Sequence, residues 1–222
     1  MFGRLASIVA VTVGALASAG AAADTVTITD FKWGSSSIDT SLSATVSVGQ
    51  FKGLLNGIEF VTFCTDLFET FNWNTSYNNY FVAANGSLYG FTLAQADLLG
   101  KLYTVADALV DTTDESVAFQ LAVWEALYDP PSHNVGSGNF RVESGGNANQ
   151  QALANAWLAQ AEALGSSQFN VARLASVDAV GADDGHQDFI LVSRVPEPAS
   201  TALLLAGFAG LGLSMRRRSV KP

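Results

Sequence analysis

The sequence is poor in the residues that build common active sites. It contains one cysteine, Cys64, and two histidines, His133 and His186, in 222 residues. It has no zinc-binding spacing of Cys and His, no phosphate-binding glycine loop and no Gly-x-Ser-x-Gly elbow. A single cysteine also excludes an intramolecular disulfide. We therefore expect no metal, no cofactor and no conventional enzyme. A lone thiol outside the cell indicates an intermolecular bridge, a reactive group or another covalent use.

Basic residues are also scarce. The chain has 11 Lys and Arg against 20 Asp and Glu, and only six of the basic residues lie within residues 24–198, where all 20 acids lie. The net charge of this segment is therefore near −14 (6 − 20). Such an acidic surface repels phosphates and has no basic stripe, which excludes nucleic acid as a partner.

The N-terminus has the pattern of a secretory signal peptide. Arg4 precedes an apolar run at residues 5–17, and Ala21-Ala22-Ala23 follows before Asp24. A basic start, a short apolar core and a small-residue cleavage site are typical of an export signal, and the core is too short to span a membrane comfortably. We predict that residues 1–23 are removed after Ala23.

The C-terminus combines three features in order. Pro196, Glu197 and Pro198 precede an apolar segment at residues 199–215, and this segment ends at Arg216, Arg217 and Arg218. The apolar segment gives about 26 Å of helix, enough for a thin hydrocarbon core, and the arginines favour the cytoplasmic side. A plain C-terminal membrane anchor is one interpretation.

The same features, at residues 196–218, closely resemble the PEP-CTERM sorting signal. The resemblance implies that an exosortase recognises Pro196, Glu197 and Pro198 and cleaves nearby, after the apolar helix has held the protein in the membrane. It also implies a Gram-negative bacterium that makes exopolysaccharide. The protein would cross the inner membrane and reach the cell surface or the extracellular matrix after C-terminal processing.

The pattern of residues 24–195 predicts one α+β domain. Alternating and β-branched stretches predict strands, and apolar residues at helical spacing predict helices. Asn56-Gly57 predicts a tight hairpin turn, and Thr92 and Thr112 each begin a capping box. Strands, then helices, then strands favour α+β over a doubly wound sheet. The predicted strands are residues 25–33, 44–55, 58–66, 168–178 and 187–195, the helices 92–110, 112–129 and 147–164, and the loops 34–37 and 132–146.

The second predicted helix carries an unexpected polar residue. Gln120 lies at the centre of a stripe whose other members are three, four or seven positions away: Val117, Val123, Trp124 and Leu127. An amphipathic helix buries such a stripe, and a buried amide without partners costs about 1–3 kcal/mol. A neighbouring backbone group is the ordinary way to satisfy it.

Cys64 offers a different partner for Gln120. Attack of the thiolate on the side-chain carbonyl would expel ammonia and leave an internal thioester, which is far more electrophilic than the amide it replaces. Cys64 lies near the end of a predicted strand, and contact with a helix wall would make the step effectively intramolecular. Apolar neighbours would exclude water and slow hydrolysis; these are Phe60, Phe63, Phe119, Val123 and Trp124.

At these residues the sequence resembles the thioester domains of bacterial surface adhesins. Their signature pairs a Cys after an aromatic residue with a later Gln in a Thr-Gln-x-Ala-(Val/Ile)-Trp helix. Here the two halves are Phe63-Cys64-Thr65-Asp66 and Phe119-Gln120-Leu121-Ala122-Val123-Trp124, with Phe119 in the position of Thr.

The resemblance has implications for both fold and function. It implies a β-sandwich or barrel-like sheet with an inserted helical subdomain of about three helices. It also implies a Cys64–Gln120 thioester that acts at most as a single-turnover acyl donor to an amine or hydroxyl nucleophile. The surroundings of that bond would be Phe63, Phe119, Val123 and Trp124.

Two other functions stay open. The first is a non-covalent structural or sugar-binding protein of the biofilm matrix, with Cys64 inert. Residues 71–81 are rich in aromatic residues and Asn, which suits either sugar stacking or a strand with aromatic residues in the core. The second is a Cys/His hydrolase, with His133 or His186 beside Cys64. Residues 183–188 contain carboxylates for calcium but lack the EF-hand spacing, so a solvated turn is predicted there.

Overall fold

A computed structural model describes residues 23–131, 133–177 and 185–195 of the chain. Residues 1–22 of the predicted signal peptide and the whole predicted sorting signal, with its apolar segment, lie outside these ranges. The candidate calcium residues Asp183 and Asp184 also lie outside them. Within the described ranges, no helix combines the length and the apolar character that crossing a membrane requires.

The described residues form nine strands and three α-helices. The strands are β1 (Asp24–Phe31), β2 (Ser36–Thr40), β3 (Val46–Val48), β4 (Phe51–Leu55), β5 (Ile58–Thr62), β6 (Ser76–Ala83), β7 (Val142–Gly145), β8 (Phe169–Ser176) and β9 (Phe189–Arg194). The helices are α1 (Leu93–Ala106), α2 (Thr113–Tyr128) and α3 (Ala148–Ala163), and a short 3₁₀ helix (Asp107–Leu109) follows α1.

Six strands form one antiparallel sheet in the order β5-β4-β1-β6-β8-β9. Its two edge strands approach each other just beyond the end of β5. Ile190 N donates a hydrogen bond to Phe63 O, and Thr65 N donates to Asp188 O, each at 3.0 Å. We call these contacts between residues 63–65 and 188–190 the closing seam, because they bring the sheet close to a complete barrel. The predicted α+β class with a barrel-like sheet is confirmed.

The predicted strand at residues 44–55 is wrong in one respect, because it is two strands in different sheets. β3 belongs to a small sheet in the order β3-β2-β7, whereas β4 belongs to the large sheet. The chain leaves the small sheet at Gly49 and Gln50. A Cβ on Gly49 would lie 2.6 Å from Gly34 O, and Gln50 N donates to Ser116 Oγ of α2 at 2.6 Å. Contact with α2 therefore separates the two strands.

The small sheet also corrects the two predicted loops. Residues 36–37 and 142–145 are strand residues of β2 and β7, which pair with each other. Serine and glycine in these strands carry little intrinsic preference for a sheet. Ile38 of β2 is 1% exposed, so burial of this side chain in the core stabilises a pairing that the local pattern does not predict.

The local signals are confirmed. Asn56 and Gly57 both have positive φ angles, 52° and 81°, and they join β4 to β5 as a tight hairpin. Thr92 and Thr112 cap α1 and α2, and both capping boxes are complete. These devices fix the start of α2 and therefore the position of Gln120.

Helix α2 is buried on all sides, which corrects the prediction of an amphipathic helix with one apolar stripe. Every residue from Ser116 to Leu127 is buried. Helices α1 and α3 pack against α2, β3 also contacts it, and the closing seam lies against Gln120. The predicted stripe is in the core, but the opposite face is there too, including Glu125.

Candidate functional site

The structure places Gln120 of α2 against Cys64 of the closing seam. Cys64 follows β5 and forms an isolated bridge with Phe189. Gln120 Oε1 accepts a hydrogen bond from Cys64 N at 3.0 Å, and Gln120 Nε2 donates one to Cys64 O at 2.8 Å. Both residues are buried. The two residues that the sequence pattern pairs are adjacent in the fold, and the carboxamide is bonded to the backbone of Cys64.

These two hydrogen bonds satisfy the buried amide of Gln120. Its oxygen and its nitrogen each have a backbone partner, which is the ordinary arrangement for a polar side chain in a core. The same contact holds the side-chain carbonyl beside the residue that carries the thiol. It therefore docks α2 onto the closing seam and also positions an electrophilic carbon next to Cys64.

The thiol of Cys64 is shielded from water. The residue is 4% exposed. Burial raises the pKa of the Cys64 thiol well above its usual range, and the charge of Asp66 raises this pKa further. The indole N–H of Trp124, one turn beyond Gln120, favours the thiolate and opposes this rise in pKa. Trp124 Nε1 makes no hydrogen bond of normal geometry in the described part of the chain, so its proton remains available to the sulfur.

Aromatic rings enclose the α2 side of the site. Phe63 stacks on Phe119 with ring centroids 4.5 Å apart, and Tyr103 meets Phe119 edge-on at 4.9 Å. Val123 of the same helix has no exposed surface. Phe119, which stands where the adhesin signature has Thr, is therefore a core residue that helps to keep this wall dry.

A cleft of about 560 Å³ reaches Cys64 and Trp124 from the surface, between the large sheet, β3 and the segment that follows Cys64. We call it the Cys64 cleft. Aromatic residues line much of it, among them Phe31, Phe51, Phe71 and Trp73. Gln120 lies deeper and has no exposed surface. The cleft thus gives an external molecule a path to the thiol side of the site.

The aromatic segment at residues 71–81 is divided between the core and the cleft. Tyr80 of β6 is buried, and its hydroxyl donates to Gln187 O at 2.7 Å. Phe71 and Trp73 instead line the Cys64 cleft. The strand interpretation therefore accounts for the second half of the segment, whereas the first half supplies rings to the cleft.

The two histidines have partners away from the thiol. His133 Nδ1 lies 2.5 Å from Glu162 Oε1, and the ring of His186 lies 3.8 Å from that of Tyr77 between centroids. Neither histidine lines the Cys64 cleft. The described residues therefore do not form the Cys/His pair that a hydrolase needs.

Glu125 is a buried carboxyl that the sequence pattern did not single out. Its Oε1 accepts a hydrogen bond from Asn134 N at 2.6 Å, while Oε2 is buried without a partner among the described residues. Burial raises the pKa of Glu125 to about 7, and the charge of Asp129 adds to the rise. One feature of the sequence could have indicated its burial. Helix α2 has no continuous polar face, and an acid in such a helix must enter the core.

These features define a mixed α+β body with a buried Cys–Gln contact at the end of a cleft, joined to a distinctive C-terminal sequence. Residues 194–218 match the family model of the PEP-CTERM protein-sorting motif. The predicted sorting signal at residues 196–218 is thereby confirmed. The motif indicates an exported protein that an exosortase processes and that is directed to the cell surface.

No curated protein and no solved structure matches the chain significantly. The resemblance to adhesin thioester domains therefore depends on the residues around Cys64 and Gln120.

Proposed function

We propose that the body forms an internal thioester and uses it once to attach the protein covalently to a surface or matrix nucleophile. Cys64 Sγ bonds to Gln120 Cδ, the bond from Cδ to Nε2 breaks, and the nitrogen leaves as ammonia with the thiol proton. The observation that carries this proposal is the contact itself, in which the Gln120 carboxamide is held against Cys64 by two hydrogen bonds.

The Cys64 N–H is well placed to assist this step. It already donates to Gln120 Oε1 at 3.0 Å, the oxygen on which negative charge develops when sulfur adds to Cδ. A preorganised backbone donor in a water-free site stabilises such an oxyanion strongly. The same donor would polarise the thioester carbonyl afterwards and make it more reactive toward a nucleophile.

The cleft supports the second half of the reaction. An amine or hydroxyl that enters the Cys64 cleft attacks Cδ, the bond from Cδ to Sγ breaks, and the proton of the nucleophile passes to the thiolate. The raised pKa of the Cys64 thiol disfavours the thiolate in both steps, so the proton leaves the sulfur as the thioester forms and returns to it as the thioester breaks. The acyl group is consumed in the attachment, so each molecule reacts once and is not an enzyme in the ordinary sense.

The sorting motif gives this chemistry a location. Exosortase processing directs the body to the cell surface, where amines and hydroxyls of matrix polymers are abundant. A covalent bond would hold the protein there after its C-terminal segment is cleaved. We propose a role in adhesion or in the biofilm matrix on this basis.

Intact-mass measurement tests the thioester directly. The wild-type protein should be lighter than its sequence mass by one ammonia, and Cys64→Ala and Gln120→Ala should both have their full sequence masses. Incubation with methylamine should add one methylamine to the wild type and release a thiol that iodoacetamide labels. A wild type of full mass, with a thiol that is labelled on unfolding, would contradict the proposal.

A non-covalent structural protein with an inert Cys64 is the second candidate. One observation favours it, because the oxygen and the nitrogen of the Gln120 amide each already have a hydrogen-bond partner, so the buried amide needs no covalent bond to be satisfied. In that case the contact only docks α2 onto the closing seam. The same mass measurement separates the two candidates.

A further inference from the structure

One wall of the Cys64 cleft is a packed cluster of aromatic rings, of which Trp73 is the most exposed, and Phe68 adds a further exposed ring to the lining. Trp73 meets Phe31 at 5.2 Å and Phe71 at 4.9 Å between ring centroids, both edge-on. Phe51 packs on Phe31 at 4.7 Å and on Phe71 at 5.5 Å. This mutual packing fixes the wall, yet 43% of Trp73 is exposed. A rigid exposed ring loses little conformational entropy when a ligand covers it.

Polar and acidic residues line another part of the cleft, beside apolar residues such as Val46 and Leu67. Asp66, Glu69 and Gln187 line it, together with the hydroxyl residues Ser43, Thr45 and Ser47. Asp66 Oδ1 accepts hydrogen bonds from Phe68 N at 2.6 Å and from Glu69 N at 3.2 Å, which hold its carboxylate in place. Carboxylate, amide and hydroxyl groups suit the hydroxyls of a polyol. No Lys or Arg is among the described residues that line the cleft, so an acidic ligand would meet no opposite charge.

From this combination we propose that the Cys64 cleft binds a neutral pyranose glycan. The apolar C–H face of a sugar ring stacks on Trp73, and its hydroxyls bond to the polar side chains. The volume of about 560 Å³ lies within the range of roughly 300–1,000 Å³ that is usual for ligand pockets. The site needs no thioester and therefore stands whether or not Cys64 and Gln120 react. If they do react, the glycan is held beside the acyl donor.

A polypeptide is the competing occupant of such a cleft. An extended peptide gains much of its affinity by pairing with a sheet edge. The edge strand beside this cleft, β3, has only three residues, so it offers few backbone partners. The side chains of the cleft therefore favour a sugar over a peptide.

Affinity electrophoresis tests the proposal on protein expressed from the full sequence. Native gels contain no additive, a neutral pyranose polymer (dextran or a galactomannan), or the acidic polymer alginate. Retardation by a neutral polymer but not by alginate supports the proposal. The absence of retardation by both neutral polymers, or stronger retardation by alginate, overturns it. Polylysine that changes the tryptophan fluorescence of the wild type but not of Trp73→Phe, when neither neutral polymer does so, would assign the cleft to a basic polypeptide and also overturn the proposal.

A pair of variants places the binding on the proposed ring. Trp73→Ala should weaken binding of the retarding polymer by about tenfold or more, since aromatic stacking and desolvation are lost. Tyr89→Ala removes a half-buried ring outside the cleft and should bind like the wild type. If Trp73→Ala is unfolded by circular dichroism, Trp73→Phe replaces it, with a smaller loss expected. Unchanged affinity in a folded Trp73 variant overturns the proposal. Failure of the thioester appears separately, in the intact mass.

Discussion

Two buried polar side chains of α2, those of Gln120 and Glu125, have different surroundings. Gln120 faces the closing seam, and both halves of its amide bond to the backbone of Cys64. Glu125 faces the loop that follows α2, and among the described residues only one of its oxygens has a partner, Asn134 N. Both side chains belong to residues without exposed surface. Helix α2 therefore holds one amide whose oxygen and nitrogen both have partners, and one carboxyl that has a partner on only one oxygen among the described residues.

The difference shows what each site is suited to do. A neutral amide whose oxygen and nitrogen both have partners contributes the same docking energy at every pH and keeps its geometry fixed. A carboxyl with an unpaired oxygen is stable in the core only while it is protonated, because burying the charge is costly. The Gln120 site is therefore suited to positioning chemistry, and the Glu125 site makes stability depend on pH.

The largest expected effect on stability comes from removing the hydrogen-bonded amide of Gln120. Gln120→Leu keeps a similar volume but leaves the N–H and C=O of Cys64 buried without partners. We expect the free energy of unfolding to fall by about 2–4 kcal/mol, since each orphaned group costs about 1–3 kcal/mol less whatever relaxation recovers. Urea denaturation measures the change. Gln160→Leu, on the exposed face of α3, is the matched control and should change stability by less than about 0.5 kcal/mol. Similar values for both variants would show that the seam contact is dispensable.

Replacing the buried carboxyl of Glu125 should change the stability by an amount that depends on pH. The pKa of Glu125 is raised from its usual 4.5 to about 7, so the folded state holds the proton more tightly than the unfolded chain. The free energy of unfolding of the wild type should therefore decrease as the pH rises through this interval. Glu125→Gln removes this decrease. Relative to the wild type it should gain up to about 3 kcal/mol above pH 7 and almost nothing near pH 4.

Urea denaturation of both proteins across this pH range measures the gain. A constant difference between wild type and Glu125→Gln would show that the carboxyl is not protonated preferentially in the fold. The comparison between Gln120 and Glu125 would then lose its electrostatic part.

A smaller effect is expected at Trp124, beside the thiol. Trp124→Phe removes the indole N–H that favours the thiolate of Cys64. We expect thioester formation to slow by up to about tenfold, the kinetic equivalent of one hydrogen bond. The time course of ammonia loss after refolding, followed by mass spectrometry, measures the rate. Trp157→Phe makes the same substitution at another buried tryptophan, on α3, and controls for lost volume. Equal rates of ammonia loss in the two variants would show that the Trp124 N–H does not assist thioester formation.

The smallest effect is expected at an exposed carboxylate. Asp97 pairs with Lys101 at 2.7 Å across one turn of α1, and such pairs contribute only about 0.2–0.5 kcal/mol. Asp97→Asn makes the same chemical change as Glu125→Gln, but in solvent. Its loss of stability should stay near this value and diminish in high salt. A change in stability as large as that of Glu125→Gln would mean that burial is not the cause of the difference between the two carboxyl groups.

The features that could be predicted from the sequence are those that a few neighbouring residues determine. Asn56-Gly57 needs only its own backbone to make the hairpin, and Thr92 and Thr112 need only the first turn of a helix to make their caps. The pairing of Cys64 with Gln120 was predicted from residue types alone, because a core amide and a single cysteine are both unusual. Their adjacency agrees with this prediction, while the bond between them stays a prediction.

The features that could not be predicted depend on contacts between distant parts of the chain. The break between β3 and β4 arises because Ser116 of α2 takes the N–H of Gln50. The strand β7 exists because β2 is there to pair with it. Burial of Glu125 follows from the elements that surround α2. No pattern within a window of a dozen residues contains this information.

The burial of α2 on all sides determines how the protein would resist a mechanical force. In the proposed attachment, the matrix or surface molecule is bonded to the side chain of Gln120. Tension therefore enters the protein through a helix that is packed on every side. Amide hydrogens in such a helix exchange with solvent mainly when the whole domain opens. At the attachment point, tension would therefore act on the interior of the body and not on a loop or an edge strand.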